Sequence, residues 1–380
     1  MEFGFQTPRK MLFGQGMAAK AAGEVAVLGA CCLVVAGRSQ QTQAQAFMDA
    51  LGGLGVQCTL ALLPGGEPTV QSVDAAAELA RKAGCDVVLG LGGGSALDTA
   101  KAVAGIALET GSVKAFLEGV GLGRAPASVL PWVAAPTTSG TGSEATKNAV
   151  IMSREEAFKN SIRDDRLFAR VAVVDPVLTL SCPPTVTAWS GMDALTQLIE
   201  AYISKKSQPM TDALALPAIG QAMNALLPAY KDGENLSART GMAYASMVSG
   251  LCLANAGLGM VHGISPGMGA LCGVPHGLAC AVILPHAVGI NLPHCAEKAP
   301  LLASAVCGRA YSAPGDCAKA VADRLGELNE SMGIPKDFGY LGLSEDWAPK
   351  LAQACSKGSM AGNPVPMDAS ETAGFISGLL

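Results

Sequence analysis

Between Cys31 and Pro176 the chain alternates short, continuously apolar runs with stretches of helical spacing. The runs and helices read in order "CCLVVAG" (31–37), "QAQAFMDALGGLG", "CTLALLPG", "VDAAAELARKAG", "DVVLGLGGG" and "DTAKAVAGIAL", followed by "WVAAP" (132–136) and "VAVVDP" (171–176). A strand that is apolar at every position is covered on both faces, which requires a parallel sheet with helices on each side. Right-handed crossovers then bring the ligand-binding loops to the carboxyl ends of the strands. The pattern stops at "LSCPPTVTAW". After Pro183 and Pro184, long Ala-, Leu- and Met-rich stretches carry helical spacing with few runs of strand length. The expected architecture is an α/β domain over residues 1–184 and an all-helical domain over residues 185–380, with a cleft between them as the default site.

A chain of 380 residues is long enough for two such cores. Its net charge of −5 comes without a long run of one sign, so it carries no electrostatic footprint for nucleic acid or an anionic membrane, and small molecules are the expected partners. The twelve cysteines show neither C-x-x-C spacing nor a regular framework, which fits a reducing compartment. The N-terminal "MEFGFQTPRKMLFG" lacks the apolar core of a secretory signal. The apolar stretch "VAVLGACCLVVAG" has 13 residues, short of the roughly 18 that a membrane span needs. A cytoplasmic protein without a membrane segment is expected.

Two loops carry chemistry. In "VVLGLGGGSALDTAKA" (87–102) a strand runs into Gly92, Gly93 and Gly94, and a helix opens near Ser95. Glycines let the backbone approach an anion, and the N–H groups of a helix start favour negative charge, so the segment suits a pyrophosphate. In "APTTSGTGSEATKNAV" (135–150), Thr137, Thr138, Ser139, Thr141 and Ser143 crowd hydroxyls between glycines after another strand. Either loop alone could be a plain turn. Two of them on one sheet point to a Rossmann-like dinucleotide-binding domain.

These segments, together with "VVDPVLTLSCPPTVTAWSGMDALTQLIEAYIS", "GLGMVHGISPGMGALCGVPHGLACAVILPH" and "GNPVP", resemble the iron-containing (group III) alcohol dehydrogenases over essentially the whole chain. The resemblance implies a dehydroquinate synthase-like fold, with an NAD(P)-binding α/β domain and a helical metal and substrate domain. It also implies hydride transfer between NAD or NADP and a small alcohol or aldehyde. Gly92, Gly93, Gly94, Ser95 and Asp98 match the family's pyrophosphate and nicotinamide region. Thr137, Thr138, Thr141 and Ser143 match its second cofactor loop, and Lys159 is carried over as a cofactor contact.

Family members of the iron type hold their metal through one Asp and three His. Asp193, His262 and His276 match three of these, and Gln197 stands where the remaining His is expected, with a neutral and weaker amide oxygen. Pro266 occupies the place of a pocket histidine, which removes a proton relay. Three readings stay open. Fe2+ or Zn2+ is held by Asp193, His262 and His276 with Gln197 or water in the fourth position, as three protein ligands suffice for zinc. Alternatively the site is metal-free and reduces an acidic carbonyl compound, as in maleylacetate reductases, or the residues are satisfied core groups. His286 and His294 are expected to be structural, and Cys252, Cys272 and Cys280 to be buried inert thiols.

NAD-preferring relatives place a carboxylate after the first sheet strand, where it rejects a 2′-phosphate. The matching place here is Gly37, followed by Arg38 and Ser39, which predicts that NADP is accepted and preferred. A homodimer or larger homo-oligomer is implied by the resemblance, and the physiological substrate is not readable from the residues.

Overall fold

Strand β2 (Cys31–Gly37) shows why the first half reads as uninterrupted apolar runs. Cys32, Val34 and Ala36 pack on one side of the sheet against Val25, Phe47 and Leu51, while Leu33 and Val35 pack on the other against Val73, Ala77 and Ala100. Successive side chains of a strand point to opposite faces, so two covered faces demand apolar residues throughout. The computed structural model describes the chain apart from Met1, Leu122, Arg154, Ala157, Pro314 and Ser356. The described residues form two compact units, one of Gln6–Cys182 and one that contains Pro183–Leu380.

In the first unit, β1 (Lys10–Phe13) leads to α1 (Ala18–Leu28) and then β2. The chain continues through α2 (Gln41–Gly53), β3 (Gln57–Leu63), α3 (Val70–Ala83), β4 (Val87–Gly92), α4 (Gly94–Ile106) and β5 (Trp132–Pro136). A hairpin of β6 (Asn148–Ser153) and β7 (Phe158–Arg163) precedes β8 (Val171–Val174). The six-stranded sheet is wholly parallel, in the order β1-β8-β5-β4-β2-β3. The expected parallel α/β sheet is present; β1 and the hairpin are additions that the sequence pattern did not signal. The chain leaves β2 for β3 on one side and returns to β4 on the other, so the topological switch lies between β2 and β4. A ligand crevice opens at such a point, beyond the carboxyl ends of the strands.

The second unit is helical, as expected. Pro183 caps α5 (Pro184–Ile203), with Pro184 in the first turn where a missing N–H costs nothing. From Gly191 to Ile203 every residue of α5 is buried. Helices α6 (Pro209–Lys231), α7 (Leu236–Ala256) and α9 (His276–Asn291) pack around it, and α8 (Met260–Cys272) joins α7 to α9. The segment His276–His294 is long and apolar enough to cross a membrane by composition, but 61% of it is buried within the fold, as for a core helix.

Candidate active site

The glycine turn and the hydroxyl-rich loop lie side by side because their strands are neighbours: Gly92 is in register with Pro136, and the Thr137 N–H donates to the Gly92 carbonyl at 2.9 Å. Gly92 has φ +149°, which other residues rarely adopt, and a Cβ there would sit 2.7 Å from that of Ala96. A Cβ on Gly94 would meet the Thr141 methyl at 2.5 Å, so the second loop closes on the first only because Gly94 lacks a side chain. No side chain caps α4 at Gly93. The Thr137 and Ser139 hydroxyl oxygens are buried without a hydrogen-bond partner. An uncapped helix start beside orphaned buried hydroxyls fits a bound phosphate group.

Asp98 and Ser143 are brought together beneath the turn and committed to one another. The Ser143 hydroxyl donates to Asp98 at 2.5 Å, and Asp98 also accepts from the Val150 N–H at 3.0 Å. The organiser is Lys101, which sequence reading missed: it is fully buried and donates to Ser143 (2.8 Å), Thr146 (2.8 Å) and the Asn148 carbonyl (2.7 Å). Burial pulls its ammonium below the ordinary lysine value, against the pull of Asp98. Lys159, on β7, is paired with Glu67 at 2.9 Å. Gly37 ends β2 at the switch point, and Arg38 and Ser39 follow it exposed. A side chain on Gly37 would begin 2.8 Å from the Gln40 amide oxygen. A cavity of about 270 Å³ near Trp132, Arg166 and Arg170 opens at the amino ends of β5 and β8, away from these loops.

Glu144 in the same loop gives a pH test. Burial pushes its carboxyl from 4.5 up to about 7, against its own backbone N–H and the Lys101 charge. The folded state therefore holds a proton that the unfolded chain releases, and stability falls as pH rises from about 4.5 to about 7. The loss amounts to about 3 kcal/mol, complete above the folded pKa. Glu144→Gln removes this slope, so in urea unfolding the variant gains on the parent between pH 4.5 and 7.5. An equal difference at both pH values would show that Glu144 titrates normally.

In the helical unit, Asp193, Gln197 and Glu200 stand on one face of α5, at spacings of four and three residues. The two downstream histidines reach this face from other helices. Asp193 Oδ1 lies 3.1 Å from His262 Nε2 and 3.7 Å from His276 Nε2. Glu200, which sequence reading overlooked, holds the other nitrogen of His262 at 2.7 Å. It also accepts from the Val261 N–H at 2.7 Å and the His262 N–H at 3.3 Å, at the start of α8. The "GNPVP" motif serves the same end: Asn363 accepts from the Met260 N–H at 3.0 Å and is hydrogen-bonded to Asn291. Gly277 of "PHG" lets α9 start against α5, since a Cβ there would lie 2.3 Å from the Trp189 carbonyl oxygen.

Burial pushes the Asp193 carboxyl up, but His276, His262 and a hydrogen bond from Gln197 outweigh it and hold the group below its ordinary value. His262 is driven down by burial and, more strongly, well up by Cys280, Asp193 and Glu200. Gln197 therefore spends its N–H on Asp193, and its amide oxygen faces Ser249 at 2.8 Å. The oxygen expected as a fourth ligand is turned away, because an ionised carboxylate beside it can only accept.

Cys280 joins the cluster instead. Its Sγ lies 3.7 Å from His276 Nε2 and 3.9 Å from His262 Nε2. It is buried, as expected for a structural thiol, yet its neighbours are imidazoles; burial raises it while the two histidines pull it down to about 7. Asp193, His262, His276 and Cys280 each offer a ligand atom, all within 4.8 Å of one another, a donor set that fits a divalent transition metal. His286 and His294 sit exposed and outside this group. Pro266 is inside α8, one turn after His262, and contributes no polar side chain.

The pattern of the family described as iron-containing alcohol dehydrogenase matches residues 8–176, and that of the Fe-containing alcohol dehydrogenase family, C-terminal, matches residues 187–376. Alcohol dehydrogenase 4 of Saccharomyces cerevisiae is 36% identical over 312 residues, covering 81% of this chain and 80% of the yeast protein. The crystal structure of a 1,3-propanediol oxidoreductase superposes with a TM-score of 0.93 at 30% identity, covering 100% of both chains. A sulfoacetaldehyde reductase from Bifidobacterium kashiwanohense, solved in complex with NAD+, superposes with a TM-score of 0.89 at 31% identity, covering 100% of this chain and 99% of that one. With both halves matched in order, the chain belongs to the iron-containing alcohol dehydrogenase family, whose members use NAD(P) and a metal ion, and is an oxidoreductase that acts on alcohols.

Proposed function

We propose that the first unit binds NAD(P) and that the helical unit binds a divalent iron or zinc ion and a small alcohol or aldehyde, between which and the nicotinamide a hydride is exchanged. The observation that carries this reading is the convergence of Asp193 Oδ1, His262 Nε2 and His276 Nε2, with the far nitrogen of His262 tied to a buried carboxylate. Asp193, His262 and His276 would hold the ion, which when bound supplies Lewis acidity to the alcohol or carbonyl oxygen. Glu200 accepts from His262 Nδ1–H, so Nε2, which faces Asp193 and Cys280, would be the nitrogen that binds the ion once its proton is released. Gln197 donates to Asp193 and adds to the pull of His276 and His262 that keeps it ionised. The His276 side chain is 26% exposed against 4% for Asp193, so the cluster is open on the His276 side, where a substrate oxygen would enter.

For the nucleotide, Gly92, Gly93, Gly94 and Ser95 would receive the pyrophosphate, with Thr137, Thr138, Ser139 and Thr141 supplying hydroxyls. Asp98 and Ser143, locked to Lys101, hold the two loops in place, and Lys159 is assigned to the cofactor's edge beside Glu67. Pro266 carries no proton, so protons pass through water or ribose hydroxyls. The spacing of the cysteines and the charge balance support a cytoplasmic location.

The test is metal content per chain in protein purified without oxygen, with aldehyde reduction by NADPH followed before and after chelation. Near one ion per chain, with activity lost on chelation and restored by iron or zinc, is expected. Full activity without metal would replace this reading with a metal-independent reductase of acidic carbonyl compounds.

NADP(H) is the preferred cofactor on this reading, because Gly37 leaves no carboxylate at the end of β2 and Arg38 follows it, exposed. The ratio of kcat/KM for NADPH over NADH should exceed one. Gly37→Asp should move it toward NADH, since the new side chain meets only the flexible end of Gln40. A parent ratio below one would reject the assignment.

A further inference from the structure

We propose that Cys280 is the fourth protein ligand, so that the chain holds its metal through Asp193, His262, His276 and Cys280 and selects zinc over iron. The proposal rests on the metal reading above and adds the identity of the fourth ligand. Metal bonds of about 2.0–2.3 Å to oxygen, nitrogen and sulfur give a tetrahedron with edges of roughly 3.3–3.6 Å. Four edges here measure 3.1, 3.7, 3.7 and 3.9 Å, and all six are within 4.8 Å. The same three atoms, Asp193 Oδ1, His262 Nε2 and His276 Nε2, define the set, Sγ of Cys280 completes the protein's four ligands, and a substrate oxygen entering on the His276 side would be a fifth.

The geometry has a simple origin. His276 and Cys280 are four residues apart at the start of α9 and so share a face, and Gly277 brings that face close to α5. Across from them Gln197 has withdrawn its oxygen to Ser249, so sulfur is the remaining donor beside both imidazoles. The Ser265 hydroxyl lies 3.3 Å from the sulfur and donates to the Val261 carbonyl at 2.7 Å, so it would have to leave that bond to donate to a thiolate. An ordinary buried thiol looks different: Cys252 donates to the Thr211 carbonyl at 3.6 Å, and burial pushes it up to about 12. Thiolate sulfur favours zinc, and at a given site zinc already binds more tightly than ferrous iron. Ligation releases the thiol proton to solvent.

The experiment is cobalt substitution in the full-length protein, read by absorbance, with zinc affinity measured by competition against a chromophoric chelator. One Co2+ per chain should give a thiolate-to-cobalt charge-transfer band. In Cys280→Ser this band should vanish while the visible cobalt bands remain, and zinc affinity should fall at least ~10-fold. Adding Gln197→His to Cys280→Ala should restore much of the affinity by returning an imidazole to the set. Stoichiometric cobalt without the charge-transfer band would overturn the proposal and leave the metal reading standing, and this needs only the parent protein. Failure of the parent to bind cobalt, zinc or iron at all would overturn both.

Discussion

Asp193→Asn protein is expected to bind NADPH as the parent does and to lose turnover by about 10³-fold, with its metal. Asn preserves the shape of a side chain that is 3% exposed, so the packing of α5 should survive. What disappears is the negative charge between two imidazoles, at 3.1 and 3.7 Å from their Nε2 atoms. Lewis-acid stabilisation is worth several kcal/mol, and each 1.4 kcal/mol is tenfold in rate, which sets the ~10³-fold figure. Glu200→Gln should behave differently in degree. It keeps a hydrogen bond to His262 Nδ1 but removes the carboxylate that orients and polarises the ring, a change that typically costs ~10- to 100-fold in metal affinity or activity. Metal analysis, nucleotide titration and kcat/KM on both variants check the order. An Asp193→Asn enzyme with parental turnover would remove the cluster from the chemistry altogether.

What could be read from residues alone depended on how completely each element is buried. Strands β2, β4, β5 and β8 are covered on both faces and announce themselves as apolar runs. By contrast β1 is a four-residue edge strand with its first half exposed, and β7 carries Lys159, Asn160 and Ser161 in a row on a hairpin outside the main sheet, so neither carried a signal. In the site, Asp193 and Gln197 were visible as one helical face, and the same face continues to Glu200 at the next turn. Counting one more turn would have found it. Cys280 was equally within reach, four residues from His276. Both were passed over because a buried carboxylate or thiol reads as core until its partner is known, and those partners are 62 residues away for Glu200 and 18 for the Cys280–His262 contact. Spacing predicts neighbours on one helix; it does not predict which helices meet. Lys101 was hidden for the same reason, since its acceptors at Ser143 and Thr146 come from a loop more than 40 residues on.

Gly94→Ala should weaken NAD(P)H binding by ~10- to 100-fold and leave metal content unchanged. The added methyl carbon would lie 2.5 Å from Thr141 Cγ2 and 2.8 Å from its Oγ1, both well inside contact distance. Either α4 or the hydroxyl-rich loop has to move, and overpacking of this kind costs about 1–3 kcal/mol, or roughly 5- to 150-fold if expressed in binding, which brackets the expected loss. Gly93→Ala is a graded control, since its nearest approach is 3.1 Å to Thr138 Oγ1, a side-chain end that can yield. The decisive comparison is a double variant. Thr141→Ala removes the two atoms that clash and leaves only the Thr141 Cβ, at 3.1 Å, so Gly94→Ala/Thr141→Ala should bind nucleotide better than Gly94→Ala even though a hydroxyl has been lost. If the double variant binds no better, the loss in Gly94→Ala does not come from this contact. Unchanged affinity in Gly94→Ala itself would mean that the two loops do not hold the nucleotide.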